Sequence, residues 1–206
     1  MRLGVLASHG GTNLQAIMDA CNQGRLDADV AVVISNNSNS TALLRARKGS
    51  IPAYHISSAN PQPTLEDFAI QDALQKHQVE LVVLAGYMKM LGPETLVSYR
   101  NRVLNSHPAL LPKFGGKGMY GTHVHEAVVK AGERVTGVTI HLVDDQYDHG
   151  AAVAQCIVPV LPEDTVADLE ERVKERERLF WIEVLQKISS SEIDLDNVAT
   201  LAAEAK

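Results

Sequence analysis

The segment Asn105-Ser106-His107-Pro108-Ala109-Leu110-Leu111-Pro112 sets an amide and an imidazole two residues apart. In an extended strand, residues i and i+2 share one side, so both side chains can face one site. Pro108 biases His107 away from helix and stiffens the chain beyond it. An amide donor beside a protonatable imidazole suits stabilisation of an oxyanion developing at a carbonyl carbon. The plain alternative is a buried histidine with a structural hydrogen bond. Asp148 is the expected partner of His107, because it lies in a loop of three carboxylates where the chain can bend at Gly150. A carboxylate there favours imidazolium and keeps it available as a proton donor near neutral pH. Asp144 and Asp145 read as solvated loop charges.

A second spot with chemical potential is Ser8-His9-Gly10-Gly11-Thr12-Asn13. Glycines let a backbone approach a ligand, and a helix beginning there points free N–H groups and its positive dipole end at an anion. The turn is neither G-x-G-x-x-G nor a lysine-bearing P-loop, and an ordinary capped strand-to-helix turn is the alternative. Glu177 is the third candidate. It interrupts the apolar stripe Val166, Leu169, Val173, Phe180, Val184 and Ile188, so a carboxylate faces inward. Buried charges have partners, here either a ligand hydroxyl or a neighbouring arginine. His123, His125, His141, His149 and Cys156 raise the question of zinc, but no H-E-x-x-H or C-x-x-C framework accompanies them, so no metal is expected.

The elements that must position these residues alternate in type. Leu3 to Ala7, Val30 to Ile34 and Leu81 to Ala85 are apolar without alternation, as in strands buried on both faces of a parallel sheet. Helical spacing follows each: Leu14, Ile17, Met18 and core Cys21, ending near Gly24; then Thr41 to Lys48; later a short helix begun by Pro93. A short strand surrounds Ala53 to Ile56, Pro61 and Pro63 punctuate a loop, and a helix runs from about Leu65 to His77. Val103-Leu104 is another strand, ending in Asn105. The alternation predicts a doubly wound, mostly parallel α/β sheet of Rossmann-like type with right-handed crossovers. Ligands bind beyond the carboxyl ends of such strands, where the strand order reverses. Ser8 to Asn13, Tyr87 to Leu91 and Asn105 to His107 all stand at such ends.

The last third differs. A glycine-rich loop from Pro112 to Gly121 precedes a helix over about His123 to Ala131. Val135 to Val143 and Ala152 to Pro159 read as a long C-terminal β-hairpin around the acidic loop. A long charged helix spans about Thr165 to Ser189, with Thr165 as N-cap. Residues 1–188 are expected to form one domain, with 189–206 a weakly patterned, partly ordered extension.

Composition limits the function classes. The 206 residues are 45% hydrophobic and 21% charged, with net charge −6, the profile of a globular domain. An acidic balance and 4% aromatics argue against nucleic-acid partners. No apolar run reaches the roughly 18 residues of a membrane helix. The N-terminal apolar stretch is too short for a signal peptide, and two cysteines make no disulfide scaffold, so a cytoplasmic location is expected.

Through about residue 188 the chain resembles the phosphoribosylglycinamide formyltransferase family, folate-dependent enzymes of purine biosynthesis. The resemblance rests on Ser8 to Ile17 (S-H-G-G-T-N-L-Q-A-I), Leu81 to Leu91 (L-V-V-L-A-G-Y-M-K-M-L) and Asn105 to Pro112. Thr136 to His141 (T-G-V-T-I-H), Asp148-His149-Gly150 and Glu177 complete it. It implies the formyltransferase fold and transfer of a formyl group from 10-formyltetrahydrofolate to the amine of 5′-phosphoribosylglycinamide, without a metal. Gly11, Thr12 and Asn13 would hold the phosphate region, and Glu177 the ribose hydroxyls, with Lys174 nearby. Met88, Lys89, Met90 and Leu91, with Asn105, would line the folate pocket. Asn105, His107 and Asp148 match the catalytic trio, in which Asp148 would raise the His107 pKa and relay a proton through water.

His9, Leu65, Ala151, Arg178 and Trp181 depart from the family pattern. The resemblance leaves open a formyltetrahydrofolate deformylase or a transformylase with another amine acceptor, such as an aminoacyl-tRNA. Both would carry an extra domain for which 206 residues leave no room. A catalytically silent folate- or nucleotide-binding protein is the alternative from another class. The implied partners are small-molecule substrates, with no nucleic acid and no membrane, in a monomer or homodimer.

Overall fold

The computed structural model describes residues 1–57 and 63–204. Five parallel strands, β1 (Arg2–Leu6), β2 (Asp29–Ser35), β3 (Ala53–His55), β4 (Leu81–Leu84) and β5 (Val103–His107), form most of one sheet. Two antiparallel strands, β6 (Val135–Leu142) and β7 (Ala152–Pro159), extend it to seven strands in the order β3-β2-β1-β4-β5-β6-β7. The strand order reverses between β1 and β4, so the fold is the doubly wound α/β architecture expected, with its ligand crevice expected there.

Helices cover both faces. They are α1 (Thr12–Asn22), α2 (Thr41–Lys48), α3 (Pro63–Lys76), α4 (Pro93–Ser98), α5 (Thr122–Lys130), α6 (Val166–Ser189) and α7 (Leu195–Glu204). One core joins Leu3, Val5, Val83 and Leu104 of the sheet to Leu14 and Ile17 of α1 and to Leu169, Val173 and Trp181 of α6. The other joins Leu6, Val82, Leu84 and Val103 to Ile70 and Leu74 of α3. Each fully buried aliphatic side chain contributes about 1.5–3 kcal/mol, which is why strands covered on both sides carry no polar alternation. Alternation along β5 now decides the chemistry. Leu104 faces α1 and α6 and Val103 faces α3, so Ser106 is sent to the first side and Asn105 and His107 to the second.

Three details differ from the sequence-based expectation. Helix α3 begins at Pro63, because proline suits the first helical turn as well as a loop; Pro61 lies outside the described residues. The acidic tail forms α7, with Leu195 buried, Ile193, Val198 and Ala199 packed on the core, and Asp196 paired to Arg102 at 2.6 Å. Leu195, Val198, Ala199 and Ala202 stand at helical spacing there, a stripe that the polar residues among them obscure. Asp144 is also more than a solvated charge, since its carboxylate meets His149 Nδ1 at 2.9 Å and accepts from the Gln146 amide. Thr165 does cap α6, in a capping box with Asp168. Among the described residues, no helix is long and apolar enough to cross a membrane.

Candidate active site

Three loops meet at the carboxyl rim of the sheet, and Ser8 fastens them. Its backbone N–H donates to the Gly86 carbonyl at 3.0 Å, and its hydroxyl donates to Asn36 Oδ1 at 2.6 Å and accepts from the Met88 amide at 2.8 Å. The turn beyond it enters α1 through Gly11, which has φ 66°. A Cβ there would stand 2.9 Å from Ala42, so the left-handed turn and the close approach of α2 both require glycine. The Ala42 amide and the Arg45 guanidinium hold the carbonyls of His9 and Gly10. Gly11, Thr12 and Asn13 thus open α1 with backbone donors aimed outward, a ready anion cradle.

Asn105, His107 and Asp148 converge beside this turn. His107 is 3% exposed, and its Nδ1 lies 3.3 Å from Asp148 Oδ2. Its Nε2 donates to the Phe114 carbonyl at 2.7 Å. Both ring nitrogens therefore face oxygen acceptors, an arrangement that only the doubly protonated ring satisfies completely. Asp148 also accepts the Gly116 amide at 2.9 Å and stands 3.6 Å from His141 Nε2. Burial pushes its carboxyl pKa upward. The hydrogen bond and charge of His107 and the Gly116 amide outweigh that, holding it well below the ordinary carboxylate range. The loop that delivers Asp148 ends at Gly150, where any side chain would overlap the Leu142 carbonyl.

His141 joins this group, although the sequence singled it out only as a possible metal ligand. It pairs with Asn105 across β5 and β6. Its Nδ1 donates to the Leu142 carbonyl at 2.8 Å, which turns Nε2 toward Asn105 Nδ2 at 3.1 Å. An amide nitrogen carries two hydrogens, so Asn105 keeps one for a ligand. No local signal gives this: β5 and β6 pair across a long connection that contains α5, so the register that sets His141 opposite Asn105 belongs to the folded sheet. Thr139 itself donates to the Ala109 carbonyl at 2.7 Å and accepts from the Leu111 amide at 3.0 Å, pinning the chain that leaves His107.

On the other face of β5, Glu177 accepts hydrogen bonds from Ser106 and from Asn13. No arginine takes it: Arg176 pairs with Glu183 and Arg178 with Glu171. Desolvation raises the Glu177 carboxyl, and the Ser106 and Asn13 bonds pull it partly back. Lys174, one turn earlier, binds Glu170 at 2.5 Å rather than Glu177, and contributes its charge from the side.

A cleft between the β4 loop and the acidic loop is lined by Lys89, Met90, Leu91 and Asn105, and by Tyr87, His141, Asp144 and Asp148. Lys89 is held by Glu66 at 2.9 Å. Met88 is 46% exposed and stands outside this lining, serving through its amide on Ser8. Tyr87, which the sequence places in the rim segment Tyr87 to Leu91 without a role of its own, is nearly buried in this lining, whereas Tyr147 and Gln146 of the acidic loop are not foreseen in the sequence. Cys21 packs against the core, and burial with the Asp29 charge pushes its thiol up to about 11. Among the described residues no three His, Cys, Asp or Glu side chains are grouped as metal ligands.

A doubly wound α/β sheet whose carboxyl rim gathers an amide, an imidazole and a carboxylate is the frame on which the family can be read. Residues 1–185 match the formyl transferase family, and the chain belongs to it. It is 39% identical over 206 residues to the phosphoribosylglycinamide formyltransferase of Haemophilus influenzae, covering 99% of this chain and 95% of that one. It is 39% identical over 193 residues to the chloroplastic phosphoribosylglycinamide formyltransferase of Vigna unguiculata, covering 93% of this chain but 62% of the length of that relative. The crystal structure of glycinamide ribonucleotide transformylase 1 from Symbiobacterium toebii superimposes with a TM-score of 0.86 at 40% identity, over 93% of this chain and 88% of that one.

Proposed function

We propose that this chain transfers the formyl group of 10-formyltetrahydrofolate to the amine of 5′-phosphoribosylglycinamide, giving N-formylglycinamide ribonucleotide and tetrahydrofolate in de novo purine biosynthesis. The observation that carries this reading is that Asn105 and Asp148 line one cleft, with His107 held against Asp148. Gly11, Thr12 and Asn13 receive the phosphate, and Glu177 accepts the ribose hydroxyls while Lys174 adds positive charge. Met90 and Leu91 line the folate cleft, Lys89 holds its wall through Glu66, and Met88 contributes backbone.

The substrate amine attacks the formyl carbon, and the carbonyl oxygen becomes an oxyanion. The free Asn105 N–H and the charged His107 stabilise it, in a setting where preorganised donors need no solvent reorganisation. As the oxyanion collapses to the new formamide, His107 Nε2 gives its proton to the departing folate nitrogen. The proton shed by the attacking amine returns to His107 through water and Asp148, which keeps the ring oriented. For this, the reacting group takes the place of the Phe114 carbonyl at Nε2. No metal or covalent intermediate enters the mechanism, and the cytoplasm is the proposed compartment.

Mixing the protein with 10-formyltetrahydrofolate, with and without the ribonucleotide, tests the reading by the spectroscopic release of folate. Release that depends on the ribonucleotide is the expected result. Release without it makes the protein a hydrolase of the formyl-folate. No release with either replaces the acceptor or leaves a silent binder.

A further inference from the structure

Ser106 stands between two residues of the proposed machinery, yet its side chain points away from both. Alternation along β5 sends it to the face of α1 and α6, where its hydroxyl donates to Glu177 Oε1. Trp181, one turn further along α6 and fully buried, donates its indole N–H to the same Ser106 oxygen at 3.1 Å. An indole nitrogen can only donate, and a hydroxyl has a single proton. With Trp181 on the oxygen, that proton is directed to the carboxylate. We infer that Trp181 and Ser106 are positioning residues for the ribonucleotide, forming a one-way donor relay that orients the Glu177 carboxylate for ribose hydroxyls.

The inference rests on the proposed ribose role of Glu177. An ionised carboxylate only accepts, which suits two hydroxyl donors, whereas a protonated one spends an oxygen on its own hydrogen. Burial works against the ionised form, and the relay opposes burial. Other groups around Glu177 act from the side: Lys174 and Arg178 on α6 favour its charge, and Cys156 on β7 lies within electrostatic reach. Helix α1 adds the uncharged Asn13. The sign follows. Removing the Ser106 donor raises the carboxyl pKa further, so the neutral form appears at higher pH.

The test compares Ser106→Ala, Ser106→Thr, Trp181→Phe and Glu177→Gln in the full chain, by kinetics with glycinamide ribonucleotide as the varied substrate across pH. Loss of a hydrogen bond to a charged group predicts a KM for the ribonucleotide about tenfold higher in Ser106→Ala, with the effect on KM exceeding that on kcat. The acid limb of kcat/KM moves to higher pH. Ser106→Thr, which keeps the hydroxyl, restores KM to near the parent value. Trp181→Phe moves both readouts in the same direction by less; should it not fold, the serine pair decides alone. The inference is overturned if Glu177→Gln raises KM while Ser106→Ala moves neither KM nor the acid limb, or if the alanine and threonine variants lose equally. A ribonucleotide KM unchanged in Glu177→Gln overturns the ribose role of Glu177 itself, and the relay with it.

Discussion

Asp148 Oδ2 lies 3.3 Å from His107 Nδ1, and the same carboxylate reaches toward His141 Nε2 at 3.6 Å with its other oxygen. One acidic side chain therefore stands between two buried imidazoles, bonded to the first of them. It does so from a left-handed backbone conformation, φ 54°, which an aspartate adopts at a cost. Its hydrogen bonds to the Gly116 amide and to His107 hold that conformation in place.

His107→Ala removes the charged donor, and Asp148→Ala removes what orients it. Each is expected to lower turnover by about 10²-fold or more, the scale of losing an oxyanion or proton-transfer group. Steady-state kinetics with both substrates saturating is the check. Near-normal kcat in both variants would remove the trio from the chemistry.

His141→Ala has a smaller expected effect. Its ring touches Asn105 Nδ2 and fixes its own orientation through the Leu142 carbonyl, so the loss is one of positioning. A hydrogen bond of about 1 kcal/mol corresponds to a kcat lower by about five- to tenfold. A loss as large as that of His107→Ala would instead place His141 on the reacting atoms.

The difference between these two histidines marks what the sequence can show. Asn105 and His107 are legible because a period of two in a strand puts them on one face without knowledge of the rest of the chain. Asp148 is legible as a carboxylate in a bending loop. The Asn105–His141 contact depends on strand register, set by pairing of β5 with β6 over a gap of 36 residues. Ser106 shows the limit more sharply. Its face follows from alternation, but its partners Glu177 and Trp181 lie more than 70 residues away, and only the packing of α6 on the sheet brings them there. The strands are readable because burial on both faces leaves an unbroken apolar run. Helix α7 is legible too, since Leu195, Val198, Ala199 and Ala202 recur at helical spacing, although the polar residues among them make the tail read as weakly patterned.

Gly11→Ala tests the anion cradle. A Cβ would meet Ala42 at 2.9 Å in a residue with φ 66°, so strain and overlap act together. Left-handed strain in a non-glycine residue costs about 1–3 kcal/mol, which denaturant unfolding should report as a lower midpoint with unchanged slope. The ribonucleotide KM should rise as the α1 amides move, while the folate KM stays near the parent value. An equal rise in both constants would point to general loosening of the rim instead.

Asp148 also links stability to pH. Its carboxyl lies below the ordinary range in the folded protein, so the folded state holds the ionised form more tightly than the unfolded chain does. That contribution is fully present above the unfolded carboxylate value, about 4, and fades as pH falls from there toward the lowered folded value. In Asp148→Asn the term is absent at every pH. The stability gap between parent and variant, measured by denaturant unfolding, should therefore be wide at pH 7 and narrower at pH 3. Protonation of other paired carboxylates, such as Asp164 with Arg172 and Asp196 with Arg102, lowers both proteins alike and cancels in the difference. A gap that stays constant between the two pH values would mean that Asp148 gains nothing from His107 and the Gly116 amide as an anion, and the electrostatic account of the site would fall with it.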